Sequence, residues 1–193
     1  CLLLSTFFTF LRAQELPPIR NFQAVDYGAE NQNWGISQAN NGWMYFANNA
    51  GLLEFNGSDW KRYYSPNGSV LRSVWAAGDR IYSGCHMEFG YWERNEYGNL
   101  VYSSLSNGIS DQLLQDEQFW RILGVGDWVL FQSLQRIYAY KPSDGSFEII
   151  ASQAPRAQLF EQEEQIYFRR QDEGLLTMEN GKAKPLLPAS QVG

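Results

Sequence analysis

The chain has 193 residues, 44% hydrophobic and 16% aromatic, with a formal net charge of −6. It is long enough for one sizeable core and shows no long apolar helical period, so an all-β class is expected. No cluster of Lys or Arg exceeds a pair, which removes the electrostatic footprint of a nucleic-acid partner.

Residues 1–13 differ from the rest. Leu2 to Leu11 is an apolar run, too short to span a bilayer and of the length of a signal-peptide core, with Ala13 as a small residue at the cleavage point. A buried core strand is the competing reading. Cys1 would leave with the signal, so Cys85 is the only thiol of the remaining segment and no disulfide framework is available. Residues 14–24, with Pro17-Pro18, form an extended lead-in in which Ile19 to Phe22 reads as a strand.

From Gly42 to Gly57 the chain reads strand, turn, strand, turn: Trp43 to Phe46 and Leu52 to Phe55 are separated by Asn48-Asn49-Ala50-Gly51 and closed by Asn56-Gly57. Aromatic and branched residues suit a pleated surface, and Asn and Gly tolerate the positive φ of tight turns. The first run returns at Asp79 to Ser83, Asp127 to Phe131 and Glu164 to Phe168, at offsets of 37, 48 and 37 residues. The second run keeps step at Gly90 to Glu93, Arg136 to Ala139 and Gly174 to Thr177. A further short strand precedes each pair (Trp34 to Gln38, Leu71 to Trp75, Trp120 to Val125, Gln158 to Glu161) and another follows it (Trp60 to Tyr64, Leu100 to Tyr102, Phe147 to Ile150, Ala183 to Leu187). Four short strands in roughly 40 residues is the signature of a β-propeller blade. The expected fold is thus an arc of four four-stranded antiparallel blades, part of a larger ring of about seven blades. The blades fall at 25–69, 70–106, 107–155 and 156–193. The longer offset marks an elaborated loop, with Ser110 to Leu114 as an N-cap and helical turn. Such an arc leaves blade faces uncovered, so by itself it is expected to aggregate or melt with poor cooperativity.

No catalytic constellation stands out. His86 is the single histidine, and Cys85, its neighbour on a strand, points to the other face. His86 and Glu88 could share a face, but two ligands do not hold a catalytic ion, so neither a metal nor another cofactor is expected. Glu54 and Glu93 align at equivalent blade positions, which argues a repeated structural role, because a catalytic acid pair breaks a repeat. In a propeller the first strand lines the channel, and the loops after strands two and four share one rim. That rim gathers Asn48, Asn49, His86, Glu88, Ser110 and Asp111, with Arg72, Trp120 and Arg121 at the starts of channel strands. Loops on a rigid scaffold carry recognition, and aromatic faces with planar charged groups suit a sugar or an anionic oligomer. The competing reading is that the tryptophan packs between blades and the arginines form salt bridges.

Trp43 to Gly57 resembles the regulator-propeller repeat of bacterial sensor proteins. Glu15 to Ile19, Asp26 to Trp34 and Tyr82 to Glu93 look like one branch of it, the triple-tyrosine-motif transcriptional regulators. The resemblance covers residues 15–187, is specific in the first two blades and loose at Ser133-Leu134-Gln135 and Gln171-Asp172-Glu173. It implies a signal peptide, a periplasmic propeller, a triple-tyrosine β-sandwich, one membrane span beyond this segment, and a cytoplasmic helix-turn-helix or histidine kinase. The expected role is a non-enzymatic sensor of a small-molecule or oligosaccharide ligand; a secreted propeller enzyme acting on polysaccharide is the alternative.

Overall fold

The computed structural model describes residues 19–151, 158–163, 165–170 and 173–192; the leader assigned to residues 1–13 lies outside them. Among these described residues sixteen strands form four separate four-stranded sheets. Blade one is β1 (Asn33–Gln38), β2 (Met44–Asn48), β3 (Gly51–Phe55) and β4 (Trp60–Tyr63). Blade two is β5 (Ser73–Ala77), β6 (Arg80–Gly84), β7 (Phe89–Arg94) and β8 (Leu100–Ser104). Blade three is β9 (Arg121–Val125), β10 (Trp128–Gln132), β11 (Arg136–Lys141) and β12 (Ser146–Ala151). Blade four is β13 (Gln158–Gln162), β14 (Gln165–Arg170), β15 (Gly174–Glu179) and β16 (Lys182–Leu187). Each sheet is an antiparallel meander in sequence order, so the expected all-β propeller arc is what forms.

The alternation within second strands distributes side chains to the two faces of each blade. Tyr45, Tyr82 and Leu130 hold equivalent places in their second strands, and each packs on the following blade. Their neighbours Ile81, Val129 and Ile166 pack on the preceding one. The result is three apolar interfaces. One holds Tyr45, Val74, Ile81 and Trp92, the next Tyr82, Phe89, Phe131 and Tyr138, and the third Leu130, Ile137, Ile166 and Phe168. Burying each such side chain contributes about 1.5–3 kcal/mol. Tyr167, the fourth equivalent, pairs with Phe160 on the face turned away from blade three, and Phe160 is 49% exposed.

Three details depart from the sequence reading. Ile19 to Phe22 forms no strand. A single helical turn, α1 (Ala24–Tyr27), follows it, with the Asp26 carboxylate accepting the Gln23 N–H at 2.7 Å. This turn lays Phe22 and Tyr27 on Trp60 at ring distances of 5.3 and 5.4 Å, so the segment buries rings on the sheet instead of pairing its backbone. The elaborated loop holds a 3-10 helix at Ser106–Gln112, starting four residues before the expected cap, because buried Ile109 anchors it in the second interface.

The third departure is register. In blade one Asn48 pairs with Gly51 around a two-residue turn. In blade two the Cys85 N–H donates to the Glu88 carbonyl at 2.9 Å, so Glu88, not Gly90, holds the place of Gly51. The sequence alignment is therefore two residues out in this strand, and Glu54 and Glu93 are not equivalent. A slip of two keeps every side chain on its face, so apolar patterning does not reveal it.

Candidate functional site

Register places Trp34, Arg72 and Trp120 at the same position in three successive blades, at the mouth of the channel. The Arg72 N–H donates to the Gly84 carbonyl at 2.9 Å and the Trp120 N–H to the Gln132 carbonyl at 2.8 Å, each extending its inner strand by one residue. The three side chains converge. The Arg72 Cζ lies 4.1 Å from the Trp34 ring centroid and 4.8 Å from that of Trp120, and the two rings meet edge to face at 6.0 Å. Cation–π attraction of about 0.5–2 kcal/mol per ring holds the guanidinium. The Trp34 Nε1–H donates to Asn49 Oδ1 at 2.7 Å and fixes that indole. Among the described residues the guanidinium has no hydrogen bond or carboxylate partner, and both indoles are about two-fifths exposed.

Beside Trp120 opens a cavity of about 270 Å3, lined among others by Asp116, Gln118, Leu134 and Gln135. Its outer wall is the segment 113–120, stitched to the blade-two hairpin tip. The Met87 N–H donates to the Glu117 carbonyl at 2.7 Å, the Phe119 N–H to the Cys85 carbonyl at 3.2 Å, and His86 and Gln118 form a β-bridge. The His86 ring Nε2 meets Asp116 Oδ1 at 2.8 Å. Glu117 is 5% exposed and accepts from Ser133 Oγ at 2.5 Å, Tyr138 Oη at 2.6 Å and the Leu114 N–H at 3.0 Å. Burial, then that bond to Glu117, raises the Tyr138 pKa.

The nine rim residues singled out in the sequence divide clearly. Asn49 and His86 occupy equivalent hairpin tips and reach solvent, whereas Asn48 and Glu88 flank the tips and turn inward. Asn48 is fully buried: its Oδ1 accepts from the Glu30 and Ala50 N–H groups and its Nδ2 donates to Glu30 O and Asn33 Oδ1. It builds the rim and has no capacity left for a ligand. Glu88 Oε1 accepts from Tyr102 Oη and Ser104 Oγ, both at 2.8 Å, and burial followed by the Glu88 charge pushes the Tyr102 pKa up. His86 and Glu88 thus face different partners and do not form a ligand pair; among the described residues no group of three His, Cys, Asp or Glu converges. Arg121 Nη1 donates to the Leu159 carbonyl at 2.6 Å, tying the blade-four inner strand to blade three. Ser110 and Asp111 are exposed on the 3-10 helix, and among the described residues no hydrogen bond links them to the stack. Cys85 is a buried packing residue whose pKa burial raises. Arg72, Trp120 and Asn49 come together as expected. Trp34 was missed, although its alignment with Trp120 at the head of a channel strand was a usable signal; Asp116 and Gln118 had none, since only folding sets them against His86. The buried carboxylates Glu54 and Glu117 are both committed to internal donors.

The sequence matches no protein-family model and no curated protein. Solved structures do match. An extracellular domain assigned to a hybrid two-component system of B. thetaiotaomicron superposes with a TM-score of 0.64 at 15% identity, covering 87% of this chain and 26% of that one. An extracellular domain assigned to a one-component system of the same organism gives 0.56 at 14% identity, covering 79% and 21%. The β-propeller domain of Cps50 (Swd1) from Myceliophteria thermophila gives 0.58 at 14%, covering 83% and 57%. The chain spans about a quarter of the length of the first two. Among the described residues no helix is long and apolar enough to cross a membrane. The described residues therefore have the β-propeller fold found in the extracellular domains of two-component-type sensor proteins, as the resemblance of the first two blades implies.

Proposed function

We propose that this chain is the first arc of an extracytoplasmic sensory propeller in a membrane-bound bacterial regulator, and that its channel mouth binds an anionic or hydroxyl-rich glycan fragment. The observation that carries this reading is Arg72: its guanidinium carbon rests against both the Trp34 and the Trp120 ring, while among the described residues its N–H groups have no hydrogen-bond partner. A guanidinium held against two rings keeps N–H groups for a carboxylate or paired hydroxyls, and the indoles suit sugar C–H surfaces. The cavity beside Trp120 extends the same surface. In this reading the domain is exported to the periplasm, further blades complete the ring, and a triple-tyrosine β-sandwich and a membrane span connect it to a cytoplasmic output module.

The test is calorimetric titration of the full-length protein with neutral and uronic-acid disaccharides. Arg72→Ala is expected to weaken binding about tenfold or more, the worth of a charge-assisted bond, in a protein that still folds and loses only the stability of the two ring contacts. Arg121→Ala is expected to act through blade alignment and so to lower the melting temperature. Wild-type binding in Arg72→Ala would overturn the assignment of this face.

A further inference from the structure

We propose a second ligand site on the opposite rim, between blades one and two, that takes a small hydroxylated amine such as an amino sugar. A cavity of about 510 Å3 opens there, within the range of small-ligand sites. It lies at the far ends of the strands from Arg72, where the segment joining β1 to β2 faces the turn joining β5 to β6, and shares no residue with the channel-mouth stack.

Its floor is apolar and closed. Ile81 and Leu100 are 4% and 6% exposed, and Tyr45, at 2%, presents a hydroxyl that accepts from Arg94 Nη2 at 3.1 Å. Its mouth is rich in acceptors. Asp79 has no hydrogen bond or ion pair among the described residues, and neither has the Asn40 side chain. Glu93 Oε1 accepts from Arg80 Nε at 2.6 Å, an ion pair, and among the described residues Oε2 has no hydrogen bond. The one cation in the wall, Arg94, is already committed to Glu54, Tyr45 and the Gly98 carbonyl. Open carboxylate oxygens without an open cation select a positively charged ligand, the Asn40 amide supplies a donor and an acceptor for hydroxyls, and the floor accepts a C–H face. An ammonium on a hydroxylated ring satisfies all three.

Titration of the full-length protein with glucosamine, glucose and glucuronate tests this. Glucosamine is expected to bind at least about tenfold more tightly than glucose, glucuronate not at all at this rim. Asp79→Asn, a change at an exposed side chain with no bond to lose, should abolish the margin of glucosamine over glucose. Asn40→Ala should weaken both sugars alike. In Arg72→Ala, which removes the channel-mouth site, the margin of glucosamine over glucose should persist, which separates this site from the channel mouth. Equal affinity for glucose and glucosamine, an undiminished margin in Asp79→Asn, or no glucosamine binding up to about 10 mM would overturn the proposal.

Discussion

The guanidinium of Arg94, on the third strand of blade two, crosses the blade interface to bond the carboxylate of Glu54 on the third strand of blade one. Its Cζ also lies 4.5 Å from the Trp43 ring centroid. The two partners are unequally buried, with side-chain exposures of 7% for Glu54 and 31% for Arg94. Removing either partner is therefore expected to have unequal consequences.

Arg94→Met leaves a buried carboxylate with only neutral hydroxyls beside it, Tyr63 at 3.5 Å and Tyr45, and should cost about 3–5 kcal/mol. Glu54→Gln leaves a half-solvated guanidinium with an amide partner and should cost about 1–2 kcal/mol. The double variant should be more stable than Arg94→Met alone. Equilibrium denaturation of the four proteins measures this; strictly additive losses would show that the pair is not coupled.

Gly51 opens β3 at φ +127°, and a Cβ there would stand 2.1 Å from the Tyr63 carbonyl; its counterpart Gly174, at φ +98°, would meet the Leu187 carbonyl at the same distance. Both the backbone conformation and the fourth strand exclude a side chain. Gly51→Ala should destabilise by about 3 kcal/mol or more. Gly108→Ala, where no atom lies within 4 Å and φ is ordinary, should be near neutral. Comparable losses at both positions would remove the steric argument.

Alkaline pH should unfold the protein through its tyrosines. Tyr45, Tyr82, Tyr102, Tyr138 and Tyr140 all have raised pKa values, with burial the largest cause. In the unfolded chain each titrates near the ordinary value of about 10. Above that pH the unfolded state has lost protons that the folded state keeps, so stability falls as pH rises; below about pH 10 this contribution is constant. Phenolate absorbance from these five buried tyrosines should rise in one step with unfolding. Tyr138→Phe should lose about 1 kcal/mol at neutral pH and show a shallower alkaline decline. A smooth titration of every tyrosine in folded protein would contradict this.

The outward face of blade four carries Phe160 beside Tyr167. Phe160→Ser should reduce self-association of the 193-residue chain without lowering its melting temperature, because the side chain is half exposed already. Light scattering across protein concentration reads this, and unchanged association would place the sticky surface elsewhere.

The positions of the sixteen described strands were legible in the sequence within a few residues, because most are short alternating runs bounded by Gly, Asn or Asp. Those signals act locally, through backbone sterics and the two-residue period of a pleated strand. The repeat also identified Asn49, Arg72 and Trp120 as neighbours on one rim, since equivalent positions in successive blades lie side by side. Tertiary structure alone decided the rest. The blade-two slip was invisible because a shift of two preserves the apolar face, and only the Cys85–Glu88 backbone bond fixes it. Whether Asn48 and Glu88 face ligand or interior depended on donors distant in sequence, Glu30 with Asn33 for one and Tyr102 with Ser104 for the other. The guanidinium of Arg72 rests against two indoles 38 and 48 residues away along the chain, because the angle between blades brings three inner strands to one channel mouth, and no local pattern encodes that angle.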